Sequence, residues 1–398
     1  MTGAMGRLPG ILLFFAIVMV LLGGIHYYLW LRLGRGPALP SPWRTVVAVT
    51  LAVGALSLPT ALLLGRAGTL AARAIVWPAF IWLGLVFLMF VLLLGSDAVR
   101  ATLWTVRRVA GSEAIDPEKR RFFARMIAAG TVATASGLTL MAIRSALGPV
   151  AVRRVEIPLR RLSKHHDGMT LVQLTDLHIG PTIGREALED LVRRANALKP
   201  DIIAITGDLV DGGVGELRSA IAPIADLRAR LGVYFVTGNH EYFSGARAWV
   251  EEIARLGVRV LRNERVQIDD AGAILDLAGV DDRSASRYPH EGHGEDLARA
   301  LSGRDKSRAL VLLAHQPRTV LDSAVYEVDL QISGHTHGGQ IWPFGALVRL
   351  QQKFLAGLGR HRDTLIYVSR GTGYWGPPMR LGAPAEISQL VFRATAAS

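Results

Sequence analysis

Apolar residues follow two regimes along this chain. Over the first 150 residues they form long blocks, and beyond about residue 165 they fall into short runs separated by amphipathic stretches. Four blocks, at 10–31, 45–65, 74–95 and 126–143, approach or exceed the roughly 20 residues that carry a helix across about 30 Å of hydrocarbon. The last is the weakest, being rich in Ala, Gly and Thr. The first is too long and unbroken for a cleaved signal peptide, and Tyr27, Tyr28 and Trp30 close it as an interfacial aromatic belt would. The pattern predicts an all-α, four-helix transmembrane region over 1–150, a linker over 151–168 and a separate domain over 169–398.

In that last region the period changes. β-branched runs at 171–174, 202–205, 233–236, 310–313 and 330–332 alternate with helical stretches such as 246–256 and 186–198. The latter puts Leu188, Leu191 and Val192 on one face. Runs at 274–279, 365–368 and 387–392 complete the sheets of an expected α/β domain.

Charge divides the same way. Residues 1–150 hold 14 Lys/Arg and 4 Asp/Glu, the remainder 31 and 29, so nearly all of the formal +12 belongs to the membrane half. The near-neutral remainder gives no support for a nucleic-acid surface, and no nucleic-acid partner is expected. The chain has no cysteine, which excludes disulfides, thiolate-bound zinc and thiol catalysis.

The basic residues also orient the spans. Arg32, Arg35 and Arg44 follow the first, and Arg100, Arg107, Arg108, Lys119, Arg120, Arg121 and Arg125 separate the third from the fourth. The opposite side has Arg7, Arg66 and Arg73. By the positive-inside rule both rich loops are cytoplasmic, so a fourth crossing puts the second domain outside the cytoplasm. If that span does not cross, the domain is cytoplasmic, and the basic stretch from Arg153 to Lys164 favours that alternative. Arg120-Arg121-Phe122-Phe123 resembles a twin-arginine export signal, though a plain basic flank is the simpler reading. No charge lies deep in a span, so the helices read as an anchor in the bilayer and not as a transport path.

Chemistry follows the strands. After the first comes T-D-L-H with Asp176 and His178, after the second T-G-D-L-V-D with Asp208, and after the third T-G-N-H-E with Asn239 and His240. The fourth leads into A-H-Q-P with His315, and the fifth into S-G-H-T-H-G-G with His335 and His337. Five strands thus deliver metal-ligand types at their carboxyl ends, where α/β folds place their sites. Gly207, Gly238 and Gly334 precede them, letting the backbone turn sharply there. Mixed Asp, His and Asn ligation without sulfur suits Mn, Fe, Zn or Mg-like ions. A pair of such ions can clamp a phosphoryl group and lower the pKa of bound water, with Asp208 the expected bridge. His290 and His293 read as solvated loop residues.

Together these blocks resemble the five motifs of the calcineurin-like metallophosphoesterase superfamily over about residues 165–395. The G-H-T-H-G-G-Q-I-W-P-F-G run and the tail Y-V-S-R-G-T-G-Y-W-G-P-P-M-R-L-G resemble its bacterial membrane-anchored or exported members. The resemblance implies a four-layer αββα sandwich and two divalent metal ions. One would be held by Asp176, His178, Asp208 and His337, the other by Asp208, Asn239, His315 and His335. His240 would contact phosphate and assist the leaving group, with Glu241 in place of the more usual Asp after it. The implied reaction is in-line hydrolysis of a phosphoester by a metal-bound hydroxide at the membrane surface, and a lipid-linked phosphate is a candidate substrate. Ester class, metal identity and oligomeric state are left open. The alternative, a non-catalytic membrane receptor or assembly protein, predicts loss of a ligand or of His240, and neither is lost. Arg370 and Arg380 read as structural ion pairs more readily than as phosphate contacts. Trp375 and Pro377-Pro378 read as packing at the edge of the site.

Overall fold

The computed structural model describes residues 8–64, 70–111, 116–288, 292 and 294–395. Arg7, Arg66, His290 and His293 lie outside the described residues. The chain divides into two compact units, Met1–Met141 and Ala142–Ser398.

The first unit is built from helices α1 (Leu8–Trp30), α2 (Ser41–Leu64), α3 (Leu70–Val109) and α4 (Pro117–Leu147). All four are long and apolar enough to cross a membrane. A π turn, Leu31–Arg35, prolongs α1. The basic stretch expected as a loop between the third and fourth spans is instead mostly helical. No Gly or Pro interrupts residues 96–110, so α3 runs on to Val109, and Gly111 follows at φ +65°. Pro117 then opens α4, where its missing N–H costs nothing. Arg100, Arg107 and Arg108 therefore sit on α3, and Lys119, Arg120, Arg121 and Arg125 on α4.

The second unit has two six-stranded sheets. In chain order the strands are β1 (Ala151–Leu159), β2 (Thr170–Leu174), β3 (Ile202–Thr206), β4 (Val233–Val236), β5 (Arg259–Val260) and β6 (Glu264–Asp270). They continue with β7 (Ala273–Gly279), β8 (Leu310–Leu313), β9 (Leu330–Ser333), β10 (Gly357–His361), β11 (Thr364–Val368) and β12 (Glu386–Ala394). One sheet has the order β1-β12-β2-β3-β4-β5, the other β10-β11-β9-β8-β7-β6. Side chains alternate across each strand. Leu171, Ile202 and Ala204 meet Leu277, Val311, Leu313, Leu330 and Ile332 in the core between the sheets. Val172, Leu174, Ile203 and Ile205 point the other way and pack on Leu188, Leu191, Trp249 and Ile253. Those last four belong to α5 (Arg185–Ala197) and, beyond α6 (Val214–Ile221) and α7 (Asn239–Ser244), to α8 (Ala246–Arg255). The second sheet is covered on its outer face by Leu297, Ala300 and Leu301. The result is the expected αββα sandwich.

Residues 151–168, expected as a linker, contain β1, which pairs in parallel with β12 from Ala151↔Glu386 to Leu159↔Ala394. As an edge strand it buries only part of one face, chiefly Ile157 and Leu159, so its Arg153, Arg154 and Glu156 read as linker in the sequence.

Candidate metal centre

The parallel neighbours β2, β3 and β4 end side by side, as do β8 and β9 in the facing sheet. Asp176, Asp208 and Asn239 follow the first three, and His315 and His335 the last two, each within three residues of its strand. Asp176, His178, Asp208, His335 and His337 all adopt φ between 49° and 70°. That left-handed backbone costs roughly 1–3 kcal/mol per residue and clusters where function over-determines geometry.

Of the three glycines, only Gly207 serves by its conformation, at φ +85°. The other two serve by absence of a side chain. A Cβ on Gly238 would lie 2.2 Å from Asp208 Oδ1 and 2.5 Å from the Asp208 nitrogen, and one on Gly334 would lie 2.3 Å from Asp176 Oδ2.

The expected ligands converge. Asp176, His178 and His337 can offer ligand atoms all within 4.8 Å of one another, as can Asp208, His315 and His335. His178 Nε2 lies 3.1 Å from His337 Nε2 and 3.9 Å from Asp208 Oδ2. His337 Nε2 is 3.5 Å from Asp176 Oδ1. Across the site, His315 Nε2 is 3.1 Å from Asp208 Oδ2, 3.2 Å from Asn239 Oδ1 and 3.2 Å from His335 Nδ1. Asp208 therefore stands between the two groups. This oxygen and imidazole set, mostly buried and free of sulfur, fits a pair of hard or borderline divalent cations.

Electrostatics differs from ligand to ligand: burial raises the Asp176 carboxyl, and although burial lowers His315, Asp208 and Asp176 beside it hold it well above the usual imidazole range. Burial raises the Asp208 carboxyl, yet His315, His240 and His178 around it hold it well below the usual range. Burial and then the neighbouring His315 lower His335 to about 4, and burial with the Arg380 guanidinium pulls His337 well below 6.5. Both imidazoles are thus held neutral, as metal ligation requires. Burial alone lowers His240, but Asp208 and Asp211 together raise it to about 9.

Asp211 is a site neighbour that the sequence reading passed over, and Glu241 was read there only as the variant residue after His240. Asp211 Oδ1 accepts from Nδ1 of both His178, at 2.9 Å, and His240, at 2.6 Å. Its signal was the second Asp of G-D-L-V-D. Glu241 is fully buried and accepts from the backbone N–H groups of Asp208, Leu209 and Gly238, at 3.0, 2.8 and 2.6 Å. Arg370 pairs with Glu386 at 3.0 Å. Arg380, 1 % exposed, donates to the carbonyls of His337, Arg370 and Ala383 and fixes the loop behind His337. Trp375 and Phe243 each stack edge-on to His240, at ring distances of 5.7 and 5.1 Å.

The calcineurin-like phosphoesterase profile matches residues 169–339. A cattle (Bos taurus) protein named a transmembrane protein with metallophosphoesterase domain is 38% identical over 94% of this chain and 87% of its own. An uncharacterised metallophosphoesterase of Helicobacter pylori is 36% identical over 60% of this chain and 63% of its own. Relatives thus occur in both bacteria and animals. Among solved structures, a dimetal phosphatase of Danio rerio aligns over 52% of this chain and 88% of its own at 14% identity, with a TM-score of 0.36.

Proposed function

We propose that this chain, which belongs to the calcineurin-like metallophosphoesterases, hydrolyses phosphoesters with a two-cation centre while anchored in a membrane. The observation that carries this reading is the pair of ligand groups divided by Asp208, with His240 beside them. Asp176, His178, Asp208 and His337 would hold one cation, and Asp208, Asn239, His315 and His335 the other. Bound there, the cations would polarise the phosphoryl group and make water a stronger nucleophile.

The chain's own residues do the rest. Asp211 accepts from the Nδ1–H of His178, which would leave the Nε2 lone pair to serve a cation. It accepts from the Nδ1–H of His240 as well, and a charged His240 donates from Nε2 to phosphate or to the departing oxygen. Arg380 holds His337 in place from behind. Phe243 and Trp375, 58 % and 56 % exposed, flank His240 and offer an apolar group on the substrate a surface to lie on. This supports a lipid-linked phosphate as substrate, and the bilayer as the anchor's partner. The arginines at the ends of α1 and α3 support an inner-membrane orientation with that side in the cytoplasm and the catalytic unit outside.

The test uses the full chain in detergent, with Mn supplied or chelated, on bis(p-nitrophenyl) phosphate, p-nitrophenyl phosphate and phosphatidic acid. Turnover that needs metal and disappears in Asp208→Asn and His240→Ala supports the reading. A folded chain that binds two ions yet turns over none of the three refutes it.

A further inference from the structure

The anchor unit contains a basic cavity that phosphoester hydrolysis does not use. Its volume is about 360 Å³, and Arg32, Arg35, Arg100, Arg120 and Arg121 line it. These guanidinium groups come from three separate stretches: the π turn after α1, the C-terminal third of α3 and the first turns of α4. One wall is fixed by Arg125, which donates to the carbonyls of Pro37 and Ala38 at 2.9 and 3.2 Å.

The charge there is unbalanced. Asp97 pairs with Arg32, lies 3.9 Å from Arg100, and accepts the Tyr28 hydroxyl at 2.7 Å. Among the described residues no carboxylate pairs with Arg35, Arg120 or Arg121, and Nε of Arg32 is buried without an acceptor. Five guanidinium groups against that one carboxylate leave a strong positive excess around a single space. Arginines that serve only to orient a span reach outward to water along their own helix. Here three separate stretches bring them to the wall of one cavity, Arg35, Arg120 and Arg121 at its exposed side, and the mutual repulsion there is relieved when an anion sits among them.

We propose that this cavity binds the phosphate headgroup of an anionic phospholipid. Guanidinium forks match phosphate oxygens in pairs. Basic pockets between membrane helices, on the side of the positive connections, are suited to such headgroups. The bound phosphate ties the ends of α1, α3 and α4 together. The Arg120-Arg121 pair, which the hydrolytic site leaves unexplained, is part of this cradle. The inference does not depend on the catalytic reading.

The test reconstitutes the full chain in nanodiscs of phosphatidylcholine with or without phosphatidylglycerol, then identifies retained lipid by native mass spectrometry. The native chain retains phosphatidylglycerol in preference, and Arg120→Gln with Arg121→Gln lowers that preference about thirty-fold. A control pair, Arg107→Gln with Arg108→Gln, leaves it within about three-fold, because those residues do not line the cavity. Should the first pair fail to assemble, Arg35→Gln on the exposed rim gives the same comparison with about a five-fold loss. Equal losses from the cavity and control pairs, or no lipid preference at all, overturn the site. Retention of added inorganic phosphate without any lipid preference assigns the cradle to a soluble anion and overturns the lipid assignment.

Discussion

Replacing Asp211 with Asn separates the charge of that side chain from its shape. One oxygen of Asp211 serves two imidazoles, at 2.9 Å to His178 and 2.6 Å to His240, and the side chain is 23 % exposed. Asparagine keeps an oxygen in the same place but loses the charge that makes both bonds strong. A hydrogen bond involving a charged group contributes about 1.5–3 kcal/mol, a neutral one about 0.5–1.5. The substitution thus costs about 1 kcal/mol per bond, or about 2 kcal/mol in all. If both imidazoles matter in the transition state, kcat/KM falls roughly thirty-fold, within the roughly ten- to hundred-fold range for groups that orient metal ligands. The assay is kcat/KM on bis(p-nitrophenyl) phosphate across a Mn titration, with the thermal midpoint recorded beside it. Asp211→Ala, which removes the acceptor itself, falls further. Activity within about three-fold of the native chain at an unchanged Mn requirement would refute the orienting role assigned to Asp211.

Three further outcomes are expected. Gly238→Ala puts a methyl group 2.2 Å from Asp208 Oδ1, so Asp208 or the loop must move, and activity falls more than about a hundred-fold while the protein still folds; near-native turnover would show the loop to be compliant. Glu241→Gln turns an amide N–H₂ against backbone donors that now meet carboxylate oxygens, and costs about 1–3 kcal/mol in urea unfolding; an unchanged midpoint would contradict it. His166 is buried with neither ring nitrogen partnered, and burial lowers its pKa below 6.5. Its contribution is therefore complete above about pH 6.5 and is lost as pH falls toward the folded value, because the unfolded chain binds the proton more readily. His166→Phe removes that component, so its thermal midpoint falls less between pH 7 and pH 5 than the native chain's, and parallel curves would contradict the assignment.

Much of this protein is legible along the chain, and what is hidden has a common cause. The four apolar helices, the eight interior strands and the ligand types after five of them follow from local period and composition, which act over a few residues. The strands β1, β5, β6 and β10 escape notice because a short or edge strand buries too little of one face to impose alternation. The continuation of α3 to Val109 escapes it because apolarity stops where the hydrocarbon does, while helix geometry stops only at a breaker. Pairing is the other hidden level. His178 meets His337 across 159 positions, and His315 meets Asn239 across 76. Those meetings depend on which strands lie side by side, a property of sheet order and not of any segment. For the same reason sequence could favour a structural role for Arg370 and Arg380 without naming a partner, and only the fold could turn one toward Glu386 and bury the other behind His337. By itself the sequence determined the kinds of donor available and the strand ends that carry them. Tertiary structure decided which donors share a point in space, because convergence is the sum of long-range packing that no local pattern contains.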